Sequence, residues 1–309
     1  MKKPKNLRVF TKSKRDGRKI VMLTAYDLTS ALIAREGSVD ALLVGDSVGM
    51  VVLGHENTLP VTIEDMVHHC AAVTRSRPGL PVIADMPYGS FHVSPGETVR
   101  HAIRLVKEGG ASAVKVEGGR RRGPVIEALL AAEIPVMGHI GLTPQSIHKL
   151  GGFKVQGRGH GAADLMLDEA VFLEEIGCFS IVVECVPASL ARRISEQVNI
   201  PTIGIGAGPD CDGQILVFHD LLGLFEGIRP KFVKRYAELG QQAVEAVRRY
   251  SEDVRSGAFP AAEHCFSDEN AHPESTLSNT SEAEPTHSSP PELDEEHGYL
   301  TSCDNGEQG

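Results

Sequence analysis

The 309-residue chain has the composition of an ordinary globular protein, with 41% hydrophobic residues, 23% charged residues and a net charge of −10. The negative charge is concentrated at the C-terminus, because residues 263–309 contain 12 acidic residues and no Lys or Arg. The remainder is close to neutral and has no concentrated basic face, which excludes a typical nucleic-acid-binding protein. No apolar run approaches the roughly 18 residues of a membrane span, and the six cysteines show no disulfide or zinc spacing. We therefore expect a cytoplasmic protein that binds neither nucleic acid nor membrane.

Eight short apolar segments, rich in β-branched residues, recur between residues 20 and 220. Each closes on Gly, Pro, Asp or Ser, which is typical of strands buried on both faces of a sheet. The predicted strands cover residues 20–27, 40–47, 81–87, 112–118, 135–141, 179–187, 201–208 and 213–220.

Amphipathic segments with helix-start signals separate most of these strands. Residues 62–76 open with Thr62 and two acids, and residues 94–110 open with Ser94 and Pro95 and end in glycines, which predicts capped helices. The other predicted helices cover residues 161–177, 189–199 and 232–257. The three consecutive arginines at 120–122 are interpreted as a solvated helix start. The link at 209–212 is too short for a helix, so one helix is missing there.

Eight strands separated mostly by helices predict a parallel sheet, since parallel neighbours need a crossover connection. Eight such units favour a closed (β/α)₈ barrel, with a doubly wound open sheet as the alternative. We predict a barrel domain over residues 1–262. Residues 263–309 are predicted to be a disordered acidic tail, because they hold too little apolar surface to offset the cost of ordering.

Acidic side chains end three successive predicted strands. Asp46, followed by Ser47, ends the second strand, Asp85 the third and Glu117 the fourth. Active sites of such barrels form at the C-terminal strand ends, so these carboxylates are expected to converge. Converging anions repel unless a cation lies among them, and oxygen-only ligation favours Mg²⁺. The alternative is that each acid caps the following helix or pairs with an arginine.

Three further polar side chains lie at or within strand ends. Lys115 is two residues from Glu117 and therefore faces the same side; it is expected to hold a substrate carboxylate or to pair with Glu117 for structure alone. Glu184 lies in the apolar run IVVECVP, where desolvation favours a general base, with a buried structural ion pair as the alternative. His139 is interpreted as a hydrogen-bond donor to substrate, or as an ordinary core histidine.

Common catalytic motifs are absent from the sequence. The glycine-rich run at 204–214 lacks the G-x-G-x-x-G spacing of a dinucleotide site, and there is no G-x-S-x-G, H-E-x-x-H or phosphate-binding Walker loop. These absences weigh against a nicotinamide-dependent enzyme, a hydrolase of the common types and an NTPase.

Six long stretches resemble the ketopantoate hydroxymethyltransferase family. They are VGDSVGMVVLGHENTLPVT (44–62), ADMPYGSF (84–91), KVEGG (115–119), VMGHIGLTPQSIHKLGGFKVQGR (136–158), VECVP (183–187) and TIGIGAGPDCDGQILVFHDLLG (202–223). The resemblance extends from about Leu7 to the helix after Lys231 and does not include the acidic tail.

The resemblance implies an activity: transfer of a hydroxymethyl group from 5,10-methylenetetrahydrofolate to 3-methyl-2-oxobutanoate through a Mg²⁺-stabilised enolate. The product is 2-dehydropantoate, a step of pantothenate biosynthesis. The resemblance also implies a homo-oligomer, a decamer built as a pentamer of dimers. By motif position, the Mg²⁺ ligands are Asp46, Asp85 and Glu117, the proton acceptor is Glu184, and the oxo-acid contacts are Asp46, Ser47, Asp85, Lys115 and His139.

Two other functions are consistent with the same residue pattern. A C–C lyase or mutase of the phosphoenolpyruvate-type barrels would share a metal-bound enolate without using folate. A barrel without catalysis, serving as a scaffold, is expected to lose its strand-end acids first, and none is missing here.

Overall fold

In a computed structural model, which describes residues 5–225, 227 and 230–266, eight parallel strands form a closed barrel. Each strand pairs with the next, and β8 pairs with β1. The strands are β1 (Ile20–Thr24), β2 (Ala41–Val44), β3 (Val82–Asp85), β4 (Ala113–Glu117), β5 (Val136–Gly141), β6 (Ser180–Glu184), β7 (Thr202–Ile205) and β8 (Gly213–Leu216). The predicted (β/α)₈ barrel is confirmed, and the open sheet is wrong.

Eleven α-helices are found in the described residues. They are α1 (Arg8–Arg15), α2 (Leu28–Glu36), α3 (Val48–Val51), α4 (Ile63–Arg75), α5 (Pro95–Lys107), α6 (Gly123–Ala131), α7 (Ile147–Leu150), α8 (His160–Glu175), α9 (Ala188–Gln197), α10 (Phe218–Leu222) and α11 (Leu239–Ser256). The predicted N-caps are confirmed, since the side chains of Thr62 and Ser94 accept hydrogen bonds from the backbone of Asp65 and Glu97. As predicted, no helix separates β7 from β8.

One local prediction was wrong. The last helix begins at Leu239, not at residue 232, because the preceding backbone bonds elsewhere: the Tyr236 N–H donates to the Leu221 carbonyl. The arginines at 120–122 form a 3-10 turn directly before α6, and Arg120 and Arg121 are exposed, as expected of a solvated helix start. The guanidinium of Arg120 lies 4.5 Å from the centre of the Phe172 ring, so it takes part in packing.

The hydrophobic core has two layers, as expected when each strand is buried on both faces. One layer fills the barrel interior and includes Met22, Leu43, Ile83 and Met137. The second layer lies between the sheet and the surrounding helices. Strand residues therefore alternate between the two layers, and most polar side chains of the strands lie at or near the strand ends.

Helix α1 closes the end of the barrel at which the strands begin. Phe10 is fully buried among the interior residues and packs edge-on against Phe179, with ring centroids 5.2 Å apart. Lys14 Nζ donates to the carbonyls of Val198 and Ile200 and to Asp212 Oδ2, at 2.8–3.0 Å. The opposite, C-terminal end is left for a site.

The chain divides into two compact units, Met1–Asp253 and Val254–Gly309. Within the second unit, Ala262–His264 form a 3-10 turn, and residues 267–309 lie outside the described part. The predicted boundary at residue 262 and the disorder of the tail therefore stay predictions. No helix in the described part is long and apolar enough to cross a membrane.

Candidate active site

The predicted site residues line one cavity of about 450 Å³ at the C-terminal ends of the strands. They come from neighbouring strands β2 to β6, and strand register pairs Asp85 with Lys115 and Glu117 with His139. The site residues in its lining are Asp46, Ser47, Asp85, Lys115, Glu117, His139 and Glu184. Closure of the barrel therefore brings together every residue that the sequence singled out.

Lys115 forms a buried ion pair with Asp85. The distance from Lys115 Nζ to Asp85 Oδ1 is 2.9 Å, and both side chains are about 95% shielded from solvent, at 5% and 4% exposure. The same ammonium lies 3.1 Å from His139 Nδ1. The alternative that Lys115 pairs with Glu117 is wrong, because the nearest carboxylate comes from the neighbouring strand β3.

Gln145, which the sequence reasoning missed, links the three carboxylates from the loop after β5. Its Nε2 donates to Asp46 Oδ2 at 2.8 Å, and its backbone N–H donates to Glu117 Oε2 at 3.0 Å. The backbone N–H of Asp46 donates in turn to Asp85 Oδ2 at 3.1 Å. These contacts fix the relative positions of the acids without any arginine partner.

His139 connects the carboxylate cluster with Glu184. Its Nδ1 lies 3.6 Å from Glu117 Oε1, and its Nε2 lies 3.2 Å from Glu184 Oε2. Burial and the Lys115 ammonium lower the pKa of His139, but its interactions with Glu117 and Glu184 outweigh them and raise it to about 8. The imidazole therefore lies among the Lys115 ammonium and the carboxylates of Glu117 and Glu184.

Glu184 is held by unusual backbone at the end of β6. The next residue, Cys185, has a left-handed φ of +47°, which a non-glycine residue adopts only under constraint. The constraint is visible in the hydrogen bonds, since the Glu184 carbonyl accepts from Leu142 and the Cys185 N–H donates to Ile205. The side chain of Glu184 keeps 15% of its surface exposed in the cavity wall.

Ser47 is oriented by a tyrosine at the end of β1. The hydroxyls of Tyr26 and Ser47 are 2.8 Å apart, and Tyr26 is fully buried. Burial raises the pKa of Tyr26 well above its usual value, so the phenol stays protonated. Either hydroxyl can donate in this hydrogen bond, and the Ser47 hydroxyl remains in the cavity lining.

Charge in the cluster is unbalanced. Burial, followed by the charges of Asp85 and Glu117, raises the pKa of Asp46 well above its ordinary value. The pKa of Asp85 is also raised by burial, although Lys115 opposes the shift. Burial lowers the pKa of Lys115, but the three carboxylates outweigh it and raise the pKa, so the lysine stays charged. One lysine does not neutralise three buried acids, and the cluster is short of positive charge.

The donor set suits Mg²⁺ in charge and in ligand type, since it offers only carboxylate oxygens near an excess of negative charge. Asp85 Oδ1 is buried without a well-directed hydrogen bond, although Lys115 is close to it. Within the described residues, however, no three His, Cys, Asp or Glu side chains form a ready-made metal site. Mg²⁺ is commonly held by one or two carboxylates plus water and substrate. Asp46 and Asp85 fit that arrangement, whereas Glu117 is already engaged by His139 and Gln145.

Comparison with known proteins identifies the family. The family model described as ketopantoate hydroxymethyltransferase matches residues 4–262. The chain belongs to the ketopantoate hydroxymethyltransferase family. It is 56% identical over 249 residues to the 3-methyl-2-oxobutanoate hydroxymethyltransferase of Oleidesulfovibrio alaskensis, covering 81% of this chain and 86% of that protein. The enzyme of the same name from Moorella thermoacetica is 54% identical over 253 residues, covering 82% and 94%.

Solved structures with the same fold are more distant in sequence. A putative phosphonomutase from Burkholderia cenocepacia aligns with a TM-score of 0.55 and 12% identity, covering 81% of this chain and 98% of that one. A phosphonopyruvate hydrolase solved with oxalate and Mg²⁺ aligns with a TM-score of 0.56 and 13% identity, covering 84% and 93%. At this identity the likeness shows the fold alone, which is that of the phosphoenolpyruvate-type barrels.

Three cavity-lining or cavity-supporting residues escaped the sequence reasoning. Tyr26 follows β1, Gln145 follows β5 and Asp220 lies in the short helix after β8. Each comes from a predicted strand end or from the loop after one, which is the signal that identified the other site residues. Tyr26 and Gln145 carry no charge, so the pattern of charged strand ends does not reveal them, whereas Asp220 ends the eighth apolar run and carries the same signal as the other acids.

Proposed function

We propose that this chain transfers a hydroxymethyl group from 5,10-methylenetetrahydrofolate to 3-methyl-2-oxobutanoate, giving 2-dehydropantoate for pantothenate biosynthesis. Membership in the hydroxymethyltransferase family supports the reaction. The observation that carries the mechanism is the cavity itself, in which a cluster of three carboxylates and one lysine faces a separate carboxylate, Glu184. The cluster is suited to hold the oxo acid, and Glu184 is suited to remove its proton.

The oxo acid is held by charged and polar groups on β2 to β5. Lys115 binds the substrate carboxylate, because it is a permanently charged ammonium in a site shielded from water. Ser47 and His139 donate hydrogen bonds to the remaining oxygens. Asp46, Asp85 and Glu117 would hold Mg²⁺, with Asp46 and Asp85 as the primary ligands. When bound, Mg²⁺ supplies a Lewis acid that stabilises negative charge on the keto oxygen.

Glu184 accepts the proton from C3 of the oxo acid. The electron pair of the broken C–H bond then forms the new C–C bond to the methylene carbon of the donor. The two C–N bonds between the methylene carbon and N5 and N10 of the carrier break, and one water molecule supplies the hydroxyl group. The proton taken by Glu184 and the second proton of the water restore the two N–H bonds of tetrahydrofolate, which leaves. His139, 3.2 Å from Glu184 Oε2, holds the base in place.

The first test is exchange of the C3 proton of 3-methyl-2-oxobutanoate with solvent deuterium, followed by NMR in the presence of Mg²⁺ and without folate. We expect exchange in the native protein and a loss of at least about 100-fold in Glu184→Gln, as for removal of a general base. Glu196→Gln is the matched control, because Glu196 is exposed on α9 and pairs with Arg192 at the surface. Exchange at the native rate in Glu184→Gln would remove this residue from its role.

The metal assignment has its own test. Titration calorimetry is expected to show Mg²⁺ binding to the native protein with the oxo acid present, and much weaker binding to Asp85→Asn. Asp210→Asn, an exposed loop variant, is expected to bind Mg²⁺ like the native protein. Native activity in excess chelator would contradict the proposed metal.

We also propose that the chain forms a homo-oligomer, as the resemblance to the family implies, with a decamer as the specific expectation. The apolar side chains on α11 support an association surface. Val244 and Val247 are 57% and 63% exposed, and none of the described side chains of α11 is buried. Light scattering coupled to gel filtration tests the state, and Val244→Glu/Val247→Glu is expected to reduce the assembled mass.

The proposed division into a barrel of residues 1–262 and an acidic tail of residues 263–309 is tested by limited proteolysis. Early cleavage after residue 262, with retention of the folded barrel, is expected. Protection of the tail at protease levels that cut exposed loops would contradict the division.

A further inference from the structure

The outer part of the active-site cavity differs in chemistry from its floor. Beyond the carboxylate cluster, its wall is built mainly from apolar and aromatic side chains, among them Met50, Phe153, Leu216 and Phe232. Only a few charged groups interrupt this apolar part, and they are Lys154, Asp220 and Lys231. A small branched oxo acid held at the floor makes no use of these groups.

We propose that this outer part is the binding site for the tetrahydrofolate carrier, with Asp220 as the carboxylate that recognises the pterin ring. Lys154 and Lys231 then face the carboxylates of the glutamate tail. This inference rests on the proposed function, because it assigns the subsite of the one-carbon donor. The whole cavity, with the floor and the outer part together, measures about 450 Å³, which is in the range of sites that enclose small-molecule ligands.

Asp220 has the chemistry required for a pterin. It lies in α10, directly after β8, and is partly buried in the cavity wall. Within the described part of the chain, its side chain accepts no hydrogen bond from a backbone or side-chain donor. Burial raises the pKa of Asp220 and Arg235 offsets this only in part. The lactam N–H and the amino group of a pterin are parallel donors that match the two oxygens of a carboxylate.

The apolar surroundings suit the rings of the carrier. Aromatic rings pack favourably on one another and on methionine, beyond the effect of the apolar area they bury. Phe153 is 50% exposed, and Phe232 is half-buried in the same wall. A flat heterocycle between such side chains would cover exposed apolar surface and place its polar edge on Asp220.

The position of β8 in the barrel places the carrier beside the reacting carbon. The oxo-acid groups lie on β2 to β5, and Glu184 ends β6. In the closed barrel, β8 lies between β7 and β1, on the arc opposite β3 to β5. A donor bound over β8 therefore approaches the oxo acid from the open side of the cavity, next to the base and away from the carboxylate cluster.

The decisive experiment compares Asp220→Asn with the native protein in two separate measurements. Binding of tetrahydrofolate alone, followed by calorimetry, is expected to weaken about 10- to 100-fold, as for loss of a charged hydrogen-bond acceptor. The KM for methylenetetrahydrofolate is expected to rise by a similar factor. Deuterium exchange at C3 of the oxo acid, which needs no folate, is expected to proceed at the native rate.

The control is Asp210→Asn, which removes an exposed carboxylate outside the cavity and is expected to change neither measurement. A second variant, Lys154→Gln/Lys231→Gln, is expected to weaken tetrahydrofolate binding and to reduce its dependence on salt. It tests the tail contacts without altering Asp220.

Each outcome has a distinct meaning. Native tetrahydrofolate affinity in Asp220→Asn overturns the subsite, and so does a loss of deuterium exchange, which would place Asp220 in the enolisation step instead. Absence of exchange or of folate-dependent product in the native protein refutes the proposed function itself, independently of Asp220.

Discussion

Replacement of Lys115 by methionine tests whether one buried cation holds the carboxylate cluster together. Lys115 is 4% exposed, and Asp46, Asp85 and Glu117 around it are 3–5% exposed. Methionine preserves most of the aliphatic stem and removes the ammonium, so packing changes little and charge changes most. Three buried carboxyl groups would then have lost their shared lysine.

The expected decrease in the free energy of unfolding follows from the burial of the ion pair between Lys115 and Asp85. Breaking such a pair from one side lowers the free energy of unfolding by about 3–5 kcal/mol, because an uncompensated charge stays behind. In a barrel of this size each kcal/mol lowers Tm by about 2–4 °C, which gives a decrease of about 6–20 °C. Thermal and urea unfolding are followed by circular dichroism in chelator, so that no divalent cation replaces the lysine.

A double-mutant cycle separates the interaction energy of the ion pair from other effects of the two substitutions on stability. Asp85→Asn/Lys115→Met is expected to be more stable than the sum of the single variants by about 1–3 kcal/mol, since the stranded carboxylate is removed as well. Lys107→Met, an exposed change on α5, is the control and is expected to stay within about 0.5 kcal/mol. A Lys115→Met protein as stable as the native one, or strictly additive changes, would refute the reasoning.

Three further predictions concern stability, backbone strain and positioning. Burial opposes ionisation of Asp40, but hydrogen bonds from Arg18 and other donors outweigh it and lower the pKa of Asp40. Asp40→Asn should therefore lower the free energy of unfolding by about 1–3 kcal/mol at neutral pH. Urea unfolding at a series of pH values should show this difference disappear as the pH falls from the ordinary aspartate pKa of 3.8 through the lowered pKa of Asp40 in the native protein. Cys185→Gly should keep the native kcat, because glycine tolerates the left-handed φ of +47°. Cys185→Val should lower kcat with little change in KM, because a β-branched side chain does not tolerate that φ. Equal kcat values for the two variants would contradict a role of this backbone in positioning Glu184. Gln145→Leu removes the donor to Asp46 and should lower kcat/KM about 10- to 100-fold in steady-state assays, and native kinetics would exclude the role.

The sequence was sufficient for the barrel and for the composition of its site. Each strand is an apolar run that ends in a polar residue, and parallel strands in a closed barrel all end on the same rim. Asp46, Asp85 and Glu117 were therefore bound to meet once the strand count was eight. The strand ends also predicted Lys115 and Glu184, because no side-chain detail is needed to place a strand end at the rim.

The sequence was not sufficient for the pairing of these groups. Lys115 and Glu117 share a face of β4, yet the ion pair forms with Asp85 on β3, since the choice depends on side-chain rotamers and register. Gln145 bonds Asp46 although 99 residues separate them, through a loop that returns over the rim. The local sequence pattern around Gln145 does not show that this loop folds back over the barrel rim. The start of α11 was wrong for the same reason, because Tyr236 bonds the distant Leu221 carbonyl.

The allocation of the acids among the strands is consistent with the proposed division of one cavity into a binding cluster and a base. Burial raises the pKa of both Asp46 and Asp85, and repulsion from neighbouring carboxylates adds to each shift. Glu184 lies on β6, beyond His139, and is more exposed than the acids of the cluster. The imidazole separates the two groups and contacts both of them. The proposed reaction needs some carboxylates neutralised by cations and another free to take a proton, and the position of Glu184 on β6, separated from the acids of β2 to β4 by β5, suits this division.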